Sequence, residues 1–287
     1  MGRFAPTPSG DLHLGSLFAA AASYLEARAR GGRWLLRMED LDGPREVPGA
    51  ADGILRTLEA FGFEWDGPVT RQSQRTDRYR QALDALQRRD LTFSCTCSRS
   101  QLENEPRYPG TCRQRSERLD TNAATRLRVR DESVTFSDGI QGDVTQHLGR
   151  DVGDFILKRR DGIFAYVLAV VVDDAAQGIN HVIRGADLLE QTPRQIHLME
   201  QLQLSTPAYA HVPLLLEPDG TKLAKTARSV RIESATPLPQ LLSVFGLLGM
   251  PSFIPMQLHS VSEAWRWATQ NWNIQNVPKR LNLQIMS

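Results

Sequence analysis

The chain has 287 residues, 41% hydrophobic and 23% charged, with 34 Lys and Arg against 33 Asp and Glu. This composition excludes a disordered chain, and the near-neutral balance excludes a globally basic nucleic-acid binder, so any nucleic-acid surface has to be local. No stretch approaches the ~20 apolar residues of a membrane span, and the N-terminus shows no charged-then-apolar leader pattern; the expected setting is the cytoplasm, the expected state a monomer.

Taken in chain order, Arg3 to Ala5 is a short strand, and Leu14 to Arg30 a helix stopped by Gly31-Gly32. Trp34 to Met38 is a second strand, and Val47 to Phe61 a helix ending at Gly62. This βαβα alternation predicts a parallel sheet. Thr76 to Arg89 is a charged helix. From Leu91 to about Asp151 the pattern changes to cysteines, turns and short alternating runs such as Ala124 to Val129, which marks an inserted domain. Asp154 to Leu157, Tyr166 to Val172 and Asn180 to Arg184 are apolar runs expected as strands that return to the sheet. Pro193 to Leu202 is a helix, Val212 to Leu216 the last strand, and Pro237 to Leu248 and Val261 to Asn271 are helices of a tryptophan-rich tail. The expected organisation is a first half of a nucleotide-binding domain over 1–90, an insertion over 91–151, a second half over 152–235 and a helical tail over 236–287.

Two segments carry chemistry beyond this outline. In the run Arg3-Phe4-Ala5-Pro6-Thr7-Pro8-Ser9-Gly10-Asp11-Leu12-His13-Leu14-Gly15-Ser16, prolines and Gly10 punctuate a turn that leads into a helix. A helix N-terminus offers free N–H groups and a positive dipole end to phosphate; His13 adds a polarisable donor there, and Gly15 permits close backbone approach. Thr221-Lys222-Leu223-Ala224-Lys225-Thr226 sets two lysines in a short loop, suited to clamp triphosphate charge. Between them, Arg37-Met38-Glu39-Asp40-Leu41-Asp42 with Arg45 crowds charge at the end of a strand, where open α/β sheets bind ligands. Cys95, Cys97 and Cys112 are the only cysteines, and their clustering favours a structural metal site over a disulfide. Glu103, Glu105 and His147 are alternative fourth ligands. His147, His181, His197 and His211 show no metal spacing and suit packing or surface; Asp173-Asp174 suits either the site or a solvated turn.

Together the two segments resemble the ATP-handling signatures of class I aminoacyl-tRNA synthetases. With the acidic cluster and Val182-Ile183-Arg184-Gly185-Ala186-Asp187-Leu188-Leu189, the stretch from residue 3 to about 230 resembles the glutamyl/glutaminyl group. That resemblance implies a Rossmann-like α/β fold with a parallel sheet. It implies His13, Ser16, Lys222 and Lys225 as catalytic residues, and His13, Gly15, Ser16 and Lys225 on ATP, which comes with Mg²⁺. It places Arg3, Phe4, Ala5, Pro6, Thr7, Glu39, Tyr166 and Arg184 on glutamate. The residue types suit that substrate: two guanidinium forks for two carboxylates, one carboxylate for the ammonium, and a tyrosine hydroxyl to close the pocket. Which arginine takes which carboxylate stays open.

The Cys-x-Cys pair followed by Tyr108-x-x-x-Cys112 resembles the zinc site of the glutamyl-Q tRNA(Asp) synthetases, with Tyr108 as fourth ligand to one structural Zn²⁺. Ser16 stands where the first signature has its second histidine, a serine usual in that family, and Ala224 stands where the second has serine. The stretch after Lys225 is expected to be too short for an anticodon-reading domain, which also fits that family. The resemblance implies activation of L-glutamate to its adenylate and transfer to queuosine in the anticodon loop of tRNA(Asp). Arg113, Arg115, Lys158 and Lys279 are the phosphate-contacting candidates. An ordinary glutamyl-tRNA synthetase core, a small-molecule ligase and a non-catalytic tRNA-binding paralogue are the alternatives.

Overall fold

The computed structural model describes residues 1–285 apart from 99, 104–106, 116, 118, 120, 218–231 and 252–257. Strand β1 (Gly2–Phe4) leads by a proline-punctuated turn into α1 (Leu14–Ala29) and then β2 (Trp34–Met38). α2 (Ala50–Ala60) follows, then β3 (Thr70–Arg71) and α3 (Thr76–Arg88). β1 runs parallel to β2 with Arg3 opposite Leu35, and β2 runs parallel to β3. α1 is apolar on almost every face because it lies between the sheet and C-terminal helices, so it is buried along most of its length. Gly31, at φ +61°, ends the helix in a conformation that carries little penalty only without a Cβ.

The segment predicted as an insertion holds β4 (Thr92–Cys95), β5 (Ala124–Leu127) and the hairpin β6 (Ser133–Asp138) and β7 (Gly142–His147). β5 pairs antiparallel with β4 on one side and β8 (Ile156–Lys158) on the other. Phe93, Cys95, Tyr108 and Cys112 form a small core of their own.

The run from Tyr166, expected as a strand, is α4 (Tyr166–Ala176). A segment buried on all sides shows no amphipathic period, so a valine-rich run does not by itself separate strand from helix. Asp173 and Asp174, 0% and 2% exposed, are not in a solvated turn but inside this helix. β9 (His181–Gly185) follows, then α5 (Thr192–Leu202), β10 (Ala208–Val212) and β11 (Leu214–Leu216). β9 and β10 are parallel. The Met1 carbonyl accepts from the N–H groups of Asn180 and His181 at 3.1 and 3.2 Å, which sets β9 beside β1.

The C-terminal part contains α6 (Pro237–Leu247) and α7 (Val261–Asn271), and also β12 (Asn282–Gln284), which pairs parallel with β11. That strand was not expected, since three residues are too few to show a period. α7 starts with a Ser260–Glu263 capping box. Trp265 packs edge-on against Tyr24, Phe63 and Phe245 at 4.7–5.2 Å and donates its indole N–H to Phe61 O at 2.8 Å, fixing α7 on the main core. Among the described residues no helix is long and apolar enough to cross a membrane.

Candidate active site

A cavity of about 630 Å³ opens where β1, β2 and β9 end and α1 begins. Arg3, Phe4, Ala5, Pro6, Thr7, His13, Gly15, Ser16, Glu39, Tyr166 and Arg184 all line it. Lys222 and Lys225, with Ala224, lie outside the described residues. The Glu39 N–H donates to Pro6 O at 3.0 Å, which pins the first turn to the end of β2. His13 is the N-cap of α1, and its Nδ1 accepts from the Ser16 N–H at 3.3 Å, so a neutral ring carries its proton on Nε2. A Cβ at Gly15 would lie 3.1 Å from the His13 ring, so the glycine also gives that ring its room.

The charged residues on the β1–β2 side form one buried network. Arg3 Nε donates to Asp174 Oδ1 at 3.1 Å, and Arg37 Nη1 reaches the same oxygen at 2.8 Å. Arg37 also donates to Glu39 at 3.4 Å and to Gln177 at 2.6 Å. Asp173 accepts from Gln72, Arg75 and Tyr79 at 3.0, 2.5 and 2.6 Å. Three guanidinium groups thus balance three carboxylates in an interior where an unmatched charge costs several kcal/mol. Burial pushes the Asp174 carboxyl up, but Arg3 and Arg37 outweigh it and hold the group below the usual range. At Glu39 burial wins over Arg37 and Arg3, and its pKa is raised. Of the acidic cluster only Glu39 and Arg45 line the cavity. Arg37 lies behind it, Asp40 binds Ser73, and Asp42 pairs with Arg45 and Arg159.

Arg184 enters from β9 and is 6% exposed. Its Nε donates to His211 Nε2 at 3.0 Å, and its Nη2 donates to Thr192 Oγ1 at 2.8 Å. The Tyr166 hydroxyl, on the first residue of α4, is 3.5 Å from Arg184 Nη1. Behind His211, Nδ1 meets Asp138 Oδ2 at 2.6 Å. His211, expected as packing or surface, is a fully buried part of this network, and nothing in its spacing from Arg184 or Asp138 signalled that.

Cys95, Cys97 and Cys112 bring their Sγ atoms within 4.8 Å of one another, away from the cavity. Cys97 Sγ is 3.7 Å from Cys112 Sγ and 4.0 Å from the Tyr108 hydroxyl. Bonds of ~2.3 Å around a tetrahedral zinc put sulfurs about 3.8 Å apart, so this donor set fits one ion. Burial raises the Cys112 thiol, but hydrogen bonds from Thr96, Tyr108 and Cys97 outweigh it and lower the pKa to about 6. Burial and its two neighbouring thiols push Cys97 up to about 11. Glu103 is exposed and outside this group, Glu105 lies outside the described residues, and His147 Nδ1 accepts from Arg150 N at 3.2 Å.

Three of the cations named for phosphate, Arg113, Arg115 and Lys158, have partners within the fold. Arg113 pairs with Asp154, and Arg126 lies 3.9 Å over the Tyr108 ring. Arg115 donates to Thr96 Oγ1 at 3.3 Å. Lys158 sits over Phe164.

The family model for class I tRNA synthetases (E and Q), catalytic domain, matches residues 1–252. The glutamyl-Q tRNA(Asp) synthetase of Pseudomonas paraeruginosa strain PA7 is 54% identical over 287 residues, covering 99% of this chain and 97% of that protein. The protein of the same name from Pseudomonas aeruginosa PAO1 is 53% identical over 280 residues, covering 97% and 95%. A crystal structure of a glutamate tRNA ligase from Elizabethkingia meningosepticum, in complex with its amino acid, superimposes with a TM-score of 0.81 at 26% identity. It covers 98% of this chain, which spans 66% of that ligase's length. The glutamate-tRNA synthetase from Elizabethkingia anophelis gives the same TM-score at 24% identity, a likeness of fold.

Proposed function

The chain belongs to the class I tRNA synthetases of the glutamate and glutamine group, and we propose that this ligase activates L-glutamate with ATP and transfers it to queuosine in the anticodon loop of tRNA(Asp). One observation carries the reading: two buried arginines, one buried carboxylate and a tyrosine hydroxyl share a single cavity with a helix N-terminus. The arginines match the two carboxylates of glutamate, and Glu39 matches its ammonium. Burial, with the Asp174 charge adding to it, raises the Glu39 pKa; an ammonium beside it relieves that penalty. Phe4, Ala5, Pro6 and Thr7 shape the wall, and the Tyr166 hydroxyl donates a hydrogen bond to the bound amino acid. The destination of the glutamyl group is supported by relatives of that name matched over nearly their whole length.

In the first step a carboxylate oxygen of glutamate attacks the α-phosphorus of ATP. The new P–O bond forms as the bond to pyrophosphate breaks, and pyrophosphate leaves with the electron pair. The Nε2–H of His13, the Ser16 hydroxyl and the α1 N–H groups meet the negative oxygens. Gly15 leaves room for the His13 ring. Lys222 and Lys225 supply positive charge to the leaving group by their motif. Mg²⁺, brought with ATP, lowers the phosphate charge when bound. In the second step a queuosine hydroxyl attacks the activated carbonyl carbon, the bond to AMP breaks, and the hydroxyl proton departs to solvent.

Cys95, Cys97, Cys112 and Tyr108 would hold a structural zinc that stabilises the insertion over 91–151. On the same reading 1–90 and 152–235 are the two halves of the catalytic domain, 236–287 is a tail, and the protein works as a cytoplasmic monomer. ATP–pyrophosphate exchange with glutamate alone tests activation. Labelled glutamate offered with a queuosine stem-loop, its guanosine counterpart and an acceptor-stem minihelix tests transfer; label on the minihelix alone would make this an ordinary glutamyl-tRNA synthetase. Elemental analysis tests the zinc: equal content in wild type and Cys95→Ser removes that site.

A further inference from the structure

Arg184 depends on an atom that must have no hydrogen. Its Nε–H points at His211 Nε2 from 3.0 Å. His211 therefore has to be neutral and to carry its proton on Nδ1, where it donates to Asp138 Oδ2 at 2.6 Å. Asp138 is itself fixed, because its other oxygen, Oδ1, accepts from the backbone N–H groups of Ile140, Gln141 and His211 at 3.0, 2.9 and 3.1 Å. Asp138 ends β6, in the hairpin of the predicted insertion, while His211 is on β10 and Arg184 on β9. All three are buried, at 5%, 0% and 6% exposure. Burial also opposes a charge on the ring, lowering the His211 pKa.

We infer that Asp138 and His211 are positioning residues for substrate binding: Asp138 selects the Nδ1–H tautomer of His211, and the bare Nε2 aims the Arg184 guanidinium into the cavity. The inference rests on the reading of Arg184 as a receptor for a glutamate carboxylate. It also gives the hairpin a role in the pocket beyond packing.

The discriminating variant is Asp138→Asn. Three backbone donors hold Oδ1, so the asparagine keeps its oxygen there and turns its NH₂ toward His211. Nδ1 must then accept, and the proton moves to Nε2. That N–H turns to Thr192 Oγ1, 3.1 Å away, and Arg184 Nε loses its acceptor. The expected result is a glutamate KM raised on the order of tenfold or more, with kcat and the ATP KM changed by less than about threefold, as for an interaction made equally in ground and transition states. Long-range ¹H–¹⁵N spectra of the His211 ring should show Nδ1–H in the wild type and Nε2–H in the variant.

A second pair guards against simple misfolding. His211→Gln keeps an oxygen able to accept from Arg184 and should lie closer to the wild-type KM than His211→Ala, although both lose the ring. A flipped tautomer with a wild-type glutamate KM overturns the inference, as do equal KM values for the Gln and Ala variants. Wild type with no glutamate-dependent exchange sinks the activity reading instead. The ring spectrum still decides the relay in that case, since an Nε2–H ring in the wild type overturns it.

Discussion

Arg3 and Arg184 line the same cavity but are held by opposite means. Arg3 is bound to a carboxylate, Asp174, which it shares with the fully buried Arg37. Every hydrogen-bond partner of Arg184 among the described residues is neutral: His211, Thr192, the Leu188 carbonyl and the Tyr166 hydroxyl. The difference separates stability from binding. Part of the charge of Arg3 is matched before any substrate arrives, by an Asp174 that it shares with Arg37, so its network also holds β1, β2 and α4 together. The charge of Arg184 is oriented but not neutralised by a direct partner, which leaves it for an anion entering the cavity. Because both groups are buried, that distinction outweighs their equal formal charge.

The largest effect that sharpens the contrast is on stability. Asp174→Ala strands two buried guanidinium groups and should lower the unfolding free energy by about 3–5 kcal/mol. Asp138→Ala strands only a neutral ring and some backbone donors, for which about 1–3 kcal/mol is expected. Urea unfolding of the two variants checks this; equal losses would mean that the Arg184 side is charge-matched after all.

Binding should invert the order. Arg184→Gln removes the unneutralised cation and should reduce kcat/KM for glutamate by roughly 10²–10³-fold, the scale of losing one charged hydrogen-bonded contact in a buried site. Arg3→Gln should lose less, because part of its charge is already directed at Asp174. Glutamate-dependent pyrophosphate exchange measures both. A larger loss for Arg3 would break the comparison.

The unequal legibility of these two regions has a physical source. The arginines, Glu39 and the His13 turn could be named from the sequence because the motifs that carry them resemble those of a known family; the βαβ rhythm alone located only the strands and helices around them. What holds these residues was readable only in part: Arg37 and Asp173-Asp174 stood near the site in the sequence reading, but their pairing did not. Asp174 and Arg37 sit in stretches whose burial on all faces erases any period, and that same erasure made α4 look like a strand. Asp138 and His211 are 73 residues apart in the chain and meet only because the β6–β7 hairpin folds onto β10. The thiols were legible as a group because their donor atoms come from one short stretch. The partners of the arginines around them were not legible: Asp154 beside Arg113 and the Tyr108 ring under Arg126 come close only in the fold.

The smallest expected effect is in the pH dependence of stability. Asp174 has a folded pKa below its unfolded one. Its contribution is complete above the ordinary carboxylate pKa of about 3.9 and is lost as pH falls through the lower, folded value. His211 is also depressed by burial, with Arg184 and Arg3 adding to the shift and Asp138 opposing it. For a base the sign works through the unfolded chain. Below about 6.5 the unfolded histidine takes a proton that the folded one refuses, so stability falls from there down to the folded pKa. The Arg184 side should therefore weaken in mild acid while the Arg3 side holds until strong acid. Unfolding measured from pH 7.5 to 4.5 should show a shallower decline in His211→Gln than in wild type, by at most about 1.4 kcal/mol per pH unit. His181 and His197 are depressed as well and keep the slope from vanishing. Identical slopes would mean that the His211 ring takes its proton in the folded state as readily as in the unfolded one, with Asp138 rather than burial setting its charge.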